Sequence, residues 1–401
     1  MPDSSGGIHV SIIVSKFGGS STADASMFER IGKILSAHPE RRYIVLSAPG
    51  ASSFVPDKIT NLLLSCYDAY AAGGDPAPLV DRIAERFGNI SKALSLTDFS
   101  DFAHREVTSS LSVSRDHTAS RGEYLCALLF SRWSGIPMAD AADLIYFRKD
   151  GSTDIPLTFS AIRRMQEKHR RAIIPGFYGS MPDGSIHTFP RNGSDITGAL
   201  VAAGTGADLY ENWSDVDGFM TADPRIVSNV VFNPNLSYRQ MRSLSKEGAQ
   251  VLHPDCLAPV SERGIPTLLK NTFDPEGAGT LISDDFSGSV PCVTGKDDFR
   301  IARVDHACMK ALPDGVSYRC LQDISGNEYV LIKDSDLPNS SSGFTPVACI
   351  CAFGVDAEKK PRILESVPHL HYFDEDGLIR FITLRNDFKS AVRKIHRILI
   401  G

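Results

Sequence analysis

The 401-residue sequence has only eight cysteines and two tryptophans, and no apolar run approaches the ~20 residues needed to cross a bilayer. So few thiols exclude a disulfide scaffold. None forms a CxxC pair, and Cys349-x-Cys351 has no neighbouring His or Cys to complete a zinc set. Reduced thiols in a cytoplasm fit best. Basic residues do not predominate: 42 Lys and Arg stand against 48 Asp and Glu, a net charge of −6. That balance argues against nucleic acid or an anionic membrane as the main partner. Met1 to His9 is polar, and Val10 to Val14 is too short for a signal segment, so an unexported, cytoplasmic protein is expected. No solenoid repeat is visible, and the only linker-like tract is Asn339 to Gly343. What is present is 42% hydrophobic and 22% charged residues, enough to bury a core and exclude disorder. The length calls for two or three domains.

Val10 to Val14 reads as a strand, Lys16-Phe-Gly-Gly-Ser-Ser21 as a glycine turn, and Met27, Ile31, Ile34 and Leu35 recur at helical spacing. Tyr43 to Ser47 repeats the pattern, followed by Ala48-Pro49-Gly50 and a helical run at Ile59, Leu62, Leu63 and Cys66. This alternation predicts an α/β fold with a mostly parallel sheet covered by helices on both faces. Helices are expected between Gly73 and Asp116, over Arg121 to Trp133 and over Gly193 to Ala203, with strands at Ala172 to Ile174, from Asp208, and at Thr267 to Asn271. After Gly288 the texture changes. Short β-like runs at Ile301 to Val304, Tyr329 to Ile332, Val347 to Cys351 and Ile379 to Thr383 precede a terminal helix striped by Phe388, Val392, Ile395 and Leu399. This predicts a smaller α+β unit. Lys389, Arg393, Lys394 and Arg397 on that helix read as a solvated face rather than a membrane-surface helix.

Three constellations carry chemistry. Lys16 to Ser21 places glycines and a lysine before a helix, where backbone N–H groups and the ammonium can hold a phosphate. An ordinary βα turn with a surface lysine would look the same, because neither the P-loop nor the dinucleotide spacing is matched. Arg191-Asn-Gly-Ser-Asp195 also precedes a helix: Ser194 and Asp195 can cap it, and Arg191 can bind a carboxylate bidentately. Trp213-Ser-Asp-Val-Asp-Gly218 with Asp223-Pro-Arg225 is an acidic loop after a strand, where open α/β sheets bind ligands. It lacks the twelfth-position glutamate of a calcium loop.

Together these blocks resemble aspartate kinases of the amino-acid-kinase superfamily. The matching text also includes Lys58 to Leu63, Arg121-Gly-Glu123, Pro175-Gly-Phe177, Ala222 to Ile226, Gly248 to Pro254 and Lys270 to Phe273, in the family's order from about residue 10 to 283. The resemblance implies a three-layer αβα sandwich with a mostly parallel sheet as a catalytic domain over 8–285. A C-terminal α+β, ACT-like regulatory and dimerisation domain would span 290–401. It implies transfer of the ATP γ-phosphoryl group to the β-carboxylate of L-aspartate, the first step toward lysine, threonine and methionine, with Mg²⁺ accompanying ATP and no protein metal site. Lys16, Gly18, Gly19 and Ser20 would hold the transferred phosphoryl. Thr60, Glu123, Arg191, Ser194 and Asp195 would line the amino-acid site, Arg191 facing a carboxylate and Glu123 the ammonium. Ser214, Asp215, Met220, Arg225, Gln250 and Val251 would face the nucleotide. Lys16, Arg191 and Asp195 are the catalytic candidates.

The chain departs from the family where lysine is usual at Gln250, tyrosine at Met220 and Arg-Gly-Gly at Arg191-Asn192-Gly193, where Asn can still adopt the left-handed conformation. Between Met309 and Gly315 there is no room for the first ACT module's long helix. Ala352 to Tyr372 is short for a strand–loop–helix–strand. A trimmed regulatory domain with weak feedback inhibition by lysine or threonine is the resulting expectation, with a homodimer through that domain. A kinase of this fold acting on another acidic compound, or a non-catalytic ligand sensor, are the alternatives. No fused homoserine dehydrogenase is expected.

Overall fold

The computed structural model describes residues 12–51, 56–190, 192–246, 254–284, 286, 291–305, 312, 316–323, 325–337, 343–375 and 378–401. They form two compact units, one within Met1–Gly218 and His253–Asp284, the other within Phe219–Leu252 and Asp285–Gly401.

In the first unit β1 (Ile13–Phe17) is buried throughout, Ser15 and Lys16 included, as a strand covered on both faces is. It pairs in parallel with β2 (Arg41–Leu46), reached through α1 (Ala25–Ala37). Asp24 caps α1 by accepting the Met27 N–H at 3.2 Å, and Phe28, Ile31 and Leu35 are buried. Four helices follow: α2 (Ile59–Ala71), α3 (Ala77–Ala93), α4 (Ser100–Leu111) and α5 (Arg115–Ser134). They share one core with α1, Phe17, Ile44, Leu46 and Trp213. After α6 (Ile155–Lys168) the chain adds β3 (Ala172–Pro175) beside β2, then the hairpin of β4 (Tyr178–Ser180) and β5 (Ile186–Thr188). Helix α7 (Gly193–Thr205) leads into β6 (Leu209–Ser214), which returns to the other side of β1. Thr267–Asn271 continues the sheet in parallel, and Thr280–Ile282 pairs with it antiparallel.

The strand order therefore reverses between β1 and β6. In open α/β sheets that switch point is where ligands bind, at the carboxyl ends of the strands. Successive side chains point to opposite faces. Phe17 stacks on Trp213 on the face of α1 to α5, while Lys16, in register with Asn212, faces α7. Beneath them Glu211 ties three strands together. It accepts from Ser15 Oγ at 2.8 Å, from Arg41 at 2.8 and 2.9 Å and from Trp213 Nε1 at 2.9 Å. A buried carboxylate so fully satisfied fixes register rather than inviting a ligand.

Two expectations change here. The first strand extends through Lys16 and Phe17, so Lys16 is a buried strand residue, not a turn residue. The helix expected over 121–133 begins at Arg115, capped by Ser114 accepting the His117 N–H at 3.0 Å.

The second unit is a six-stranded antiparallel sheet in the order Tyr318–Gln322, Glu328–Lys333, Cys292–Arg303, Thr345–Phe353, Leu378–Thr383, His371–Glu375. The terminal helix Phe388–Ile400 buries Phe388, Val392, Ile395 and Leu399 in one core with Val293, Ile350, Phe381 and Ile363 of helix Lys359–Ser366. The apolar stripe thus belongs to a packed helix, as expected. The segment Ala352 to Tyr372 is a correction. It contains the end of a strand, a loop, a helix and the start of another strand, so nothing is missing there. The helix sought between Met309 and Gly315 falls, apart from Leu312, outside the described residues. Residues 219–252, placed by the sequence in the 8–285 domain, group with the second unit. Ala222 and Val227 lie in the same core as Val293 and Ile395, and that burial decides the grouping.

Candidate active site

Lys16, next to last in β1, is only 7% exposed. A buried ammonium needs a partner, and Asp195, in the first turn of α7, supplies it with Nζ to Oδ1 at 2.5 Å. The same oxygen accepts from Asn212 Nδ2 at 2.7 Å, and Tyr210 Oη donates to the Asp195 carbonyl at 3.2 Å. Lysine, aspartate and asparagine thus come from β1, α7 and β6. The arrangement presents a cation at a strand's carboxyl end, its carboxylate held from behind.

The glycine turn after β1 crosses the loop after β2. Gly50 N–H donates to Gly19 O at 2.8 Å, and a Cβ on Gly50 would come within 2.6 Å of Gly19 C. Only two glycines allow this approach. Thr22 Oγ1 lies within 3.3 Å of the carbonyls of Gly18, Gly19, Ser47 and Ala48, and Gly18 N–H donates to Trp213 O at 3.0 Å. The turn is therefore rigid. Ser20 sits half-buried within it.

The Ala48–Gly50 loop is gripped from the other side by Arg86 of α3. Its guanidinium donates to the carbonyls of Gly50, Asp57 and, at 3.1 Å, Ala23. Burial pulls this guanidinium's pKa down, against the fields of Asp24 and Asp57. The Ile59 N–H donates to Pro49 O at 3.1 Å, which anchors the first turn of α2 and with it Thr60. Glu123 on α5 is 5% exposed, and among the described residues its Oε2 has no hydrogen-bond partner. Desolvation pushes its pKa up to about 8, although a backbone hydrogen bond from Ala48 pulls the other way. A buried carboxyl with an unused oxygen suits an incoming cation.

The loop after β3 closes on the start of α7. Gly176 lacks a Cβ, which would lie 2.6 Å from Ser194 Oγ, and Phe177 takes φ 79° with its N–H donating to Thr197 Oγ1 at 3.1 Å. Asn192 adopts φ 49° and ψ 32°, the left-handed conformation expected of it, and α7 starts at Gly193. Ser194 is buried beside Asp195. Arg191 lies outside the described residues.

Of the residues assigned to the nucleotide, Ser214 is half-buried at the end of β6, its carbonyl accepting the Thr272 N–H at 2.8 Å, and Asp215 is exposed. Met220 and Arg225 belong to the second unit. Met220 pairs with Phe232 in a short antiparallel ladder, and the Arg225 guanidinium folds back on Asp223 at 2.7 to 3.2 Å, which holds the Asp223 carboxyl below its ordinary range. Gln250 and Val251 lie outside the described residues. Sequence reading missed Asn212, Tyr210, Thr22 and Arg86. For Arg86 a signal existed, a lone arginine inside the apolar stripe Ile83, Phe87 and Ile90.

A cleft of about 570 Å³ opens elsewhere, lined by Arg30, Lys33, Arg41, Trp213 and Lys270 among others. None of the candidate residues lines it, so we place the site by the switch-point geometry instead. Among the described residues no helix is long and apolar enough to cross a membrane.

The amino acid kinase family model matches residues 11–271. The chain is 33% identical to aspartokinase 3 of Bacillus subtilis over 285 residues, covering 67% of this chain and 63% of that protein. It is 28% identical over 370 residues to the bifunctional aspartokinase/homoserine dehydrogenase of Haemophilus influenzae, covering 83% and 44%. The chain thus spans less than two thirds of either relative. The crystal structure of Clostridium acetobutylicum aspartate kinase superposes with a TM-score of 0.85 at 31% identity, covering 97% of this chain and all of that one. The E. coli aspartokinase III structure with aspartate and ADP gives 0.78 at 22% identity, a likeness of fold.

Proposed function

The chain belongs to the amino acid kinase family and, within it, to the aspartate kinases, and from that premise we propose that it phosphorylates the β-carboxylate of L-aspartate with ATP. The supporting observation is the buried Lys16–Asp195–Asn212 chain at the switch point, beside the glycine turn of Gly18 and Gly19 that packs closely on Gly50. A carboxylate oxygen forms a bond to the γ-phosphorus, the bond from that phosphorus to the β–γ bridging oxygen breaks, and ADP leaves with the electron pair. The products are ADP and 4-phospho-L-aspartate.

This reaction needs positioning and charge neutralisation rather than a covalent nucleophile. Lys16, Gly18, Gly19 and Ser20 surround the transferred group, and the ammonium offsets charge spreading over its oxygens. The attacking carboxylate is already deprotonated at pH 7. Asp195 therefore orients Lys16 rather than acting as a base. Arg191 would hold a substrate carboxylate bidentately, Glu123 would receive the ammonium, and Thr60 and Ser194 complete the amino-acid side. Ser214, Asp215, Met220, Arg225, Gln250 and Val251 face the nucleotide in this reading, and Mg²⁺ enters as the hard counter-ion of the ATP phosphates.

The same reading takes 8–285 as the catalytic domain and 290–401 as an ACT-like domain that joins two copies in a cytoplasmic enzyme of lysine, threonine and methionine synthesis. Replacing Lys16→Ala should lower kcat by about 10²- to 10³-fold with the fold intact by circular dichroism. Near-normal turnover would remove Lys16 from the reaction.

A further inference from the structure

We infer that His396 of the terminal helix is a positioning residue for the nucleotide, acting through Thr221 on the segment that carries Met220 and Arg225. It rests on the proposed function, which alone gives those two residues their role. Thr221 follows Met220 directly and is 2% exposed. Its N–H donates to Val231 O at 2.9 Å, its carbonyl accepts from Val293 N–H at 2.8 Å, and its Oγ1 accepts from Val231 N–H at 2.9 Å. His396 Nε2 lies 2.8 Å from that Oγ1.

A hydroxyl has one hydrogen to give. One of its two lone pairs is taken by the Val231 N–H, and the hydroxyl either gives its hydrogen to His396 Nε2 or accepts from it, according to which nitrogen of the neutral ring carries the proton. Burial, which lowers the His396 pKa, favours the neutral ring. His396 is 1% exposed. One turn earlier on the same helix, Arg393 Nε donates to Ile226 O at 2.9 Å. The helix thus holds residues 221 and 226, on either side of the Asp223–Arg225 turn, where the Ile226 and Val227 N–H groups donate to Asp223 O at 2.9 and 3.0 Å. The His396 ring nitrogen fixes the hydroxyl's direction and so the ladder that places Met220.

The test compares His396→Leu, Thr221→Val, their double variant and His396→Gln, whose amide can replace Nε2. Losing one buried hydrogen bond should raise the KM for ATP about tenfold, leave the KM for aspartate within about twofold, and be no worse in the double variant. His396→Gln should recover most of the loss. Equal changes in both constants, or a lowered melting temperature with both unchanged, overturn the inference while leaving the kinase reading intact. Absent turnover of aspartate by the wild-type chain would overturn that reading instead. ATP titration by calorimetry then still decides the role of His396, and Thr221→Val decides it where His396→Leu does not fold.

Discussion

Glu123 is held far from its ordinary state. Free glutamate titrates near 4.5, whereas burial raises this carboxyl to about 8. Between those values the empty folded protein holds a proton that the unfolded chain has lost. Stability from this group is therefore greatest at low pH and declines as pH rises through the window from 4.5 to 8. An ammonium arriving at Oε2 reverses the preference and favours the carboxylate. Aspartate binding at pH 7 should consequently release a proton, visible as a binding enthalpy that changes with the ionisation enthalpy of the buffer. Glu123→Gln should abolish the release, raise the KM for aspartate, and flatten the fall in melting temperature between pH 5 and 8. A buffer-independent enthalpy in the wild type would contradict this assignment.

At the scale of elements, the loop after β2 is held by α3 as well as by its own glycine. Arg86 supplies donors to three carbonyls, those of Gly50, Asp57 and Ala23. Arg86→Met removes those donors and should cost about 2–4 kcal/mol in urea unfolding. An unchanged midpoint would contradict the clamp. This element also shows what a sequence conveys. The turn from Gly18 and the start of α7 at Gly193 were legible because their glycines and polar residues lie within a few positions. Asn212 was not, because its partnership with Lys16 exists only once β1 and β6 are in register, 196 residues apart. The two strands missed in the C-terminal unit, Tyr318–Gln322 and His371–Glu375, are the edges of its sheet. Edge strands carry polar and charged residues, and so lack the apolar run that disclosed the four inner ones.

For the whole molecule, the second unit is the more complete part of the correction. The shortness read into Ala352 to Tyr372 disappears once strand, helix and strand are counted there. The proposal of weak feedback control now rests on the few residues between Met309 and Gly315. On that basis millimolar lysine and threonine, alone and together, should reduce the initial rate less than about twofold, and strong inhibition by any of them would reject it. Residues 219–252 group with the C-terminal unit.

The central claim is the reaction itself, and trapping its acyl phosphate tests it most directly. With ATP, Mg²⁺ and hydroxylamine, the wild-type protein should form aspartyl hydroxamate at a rate saturating in aspartate, with no comparable product from glutamate. Hydroxamate from another acidic compound but none from aspartate would contradict the account.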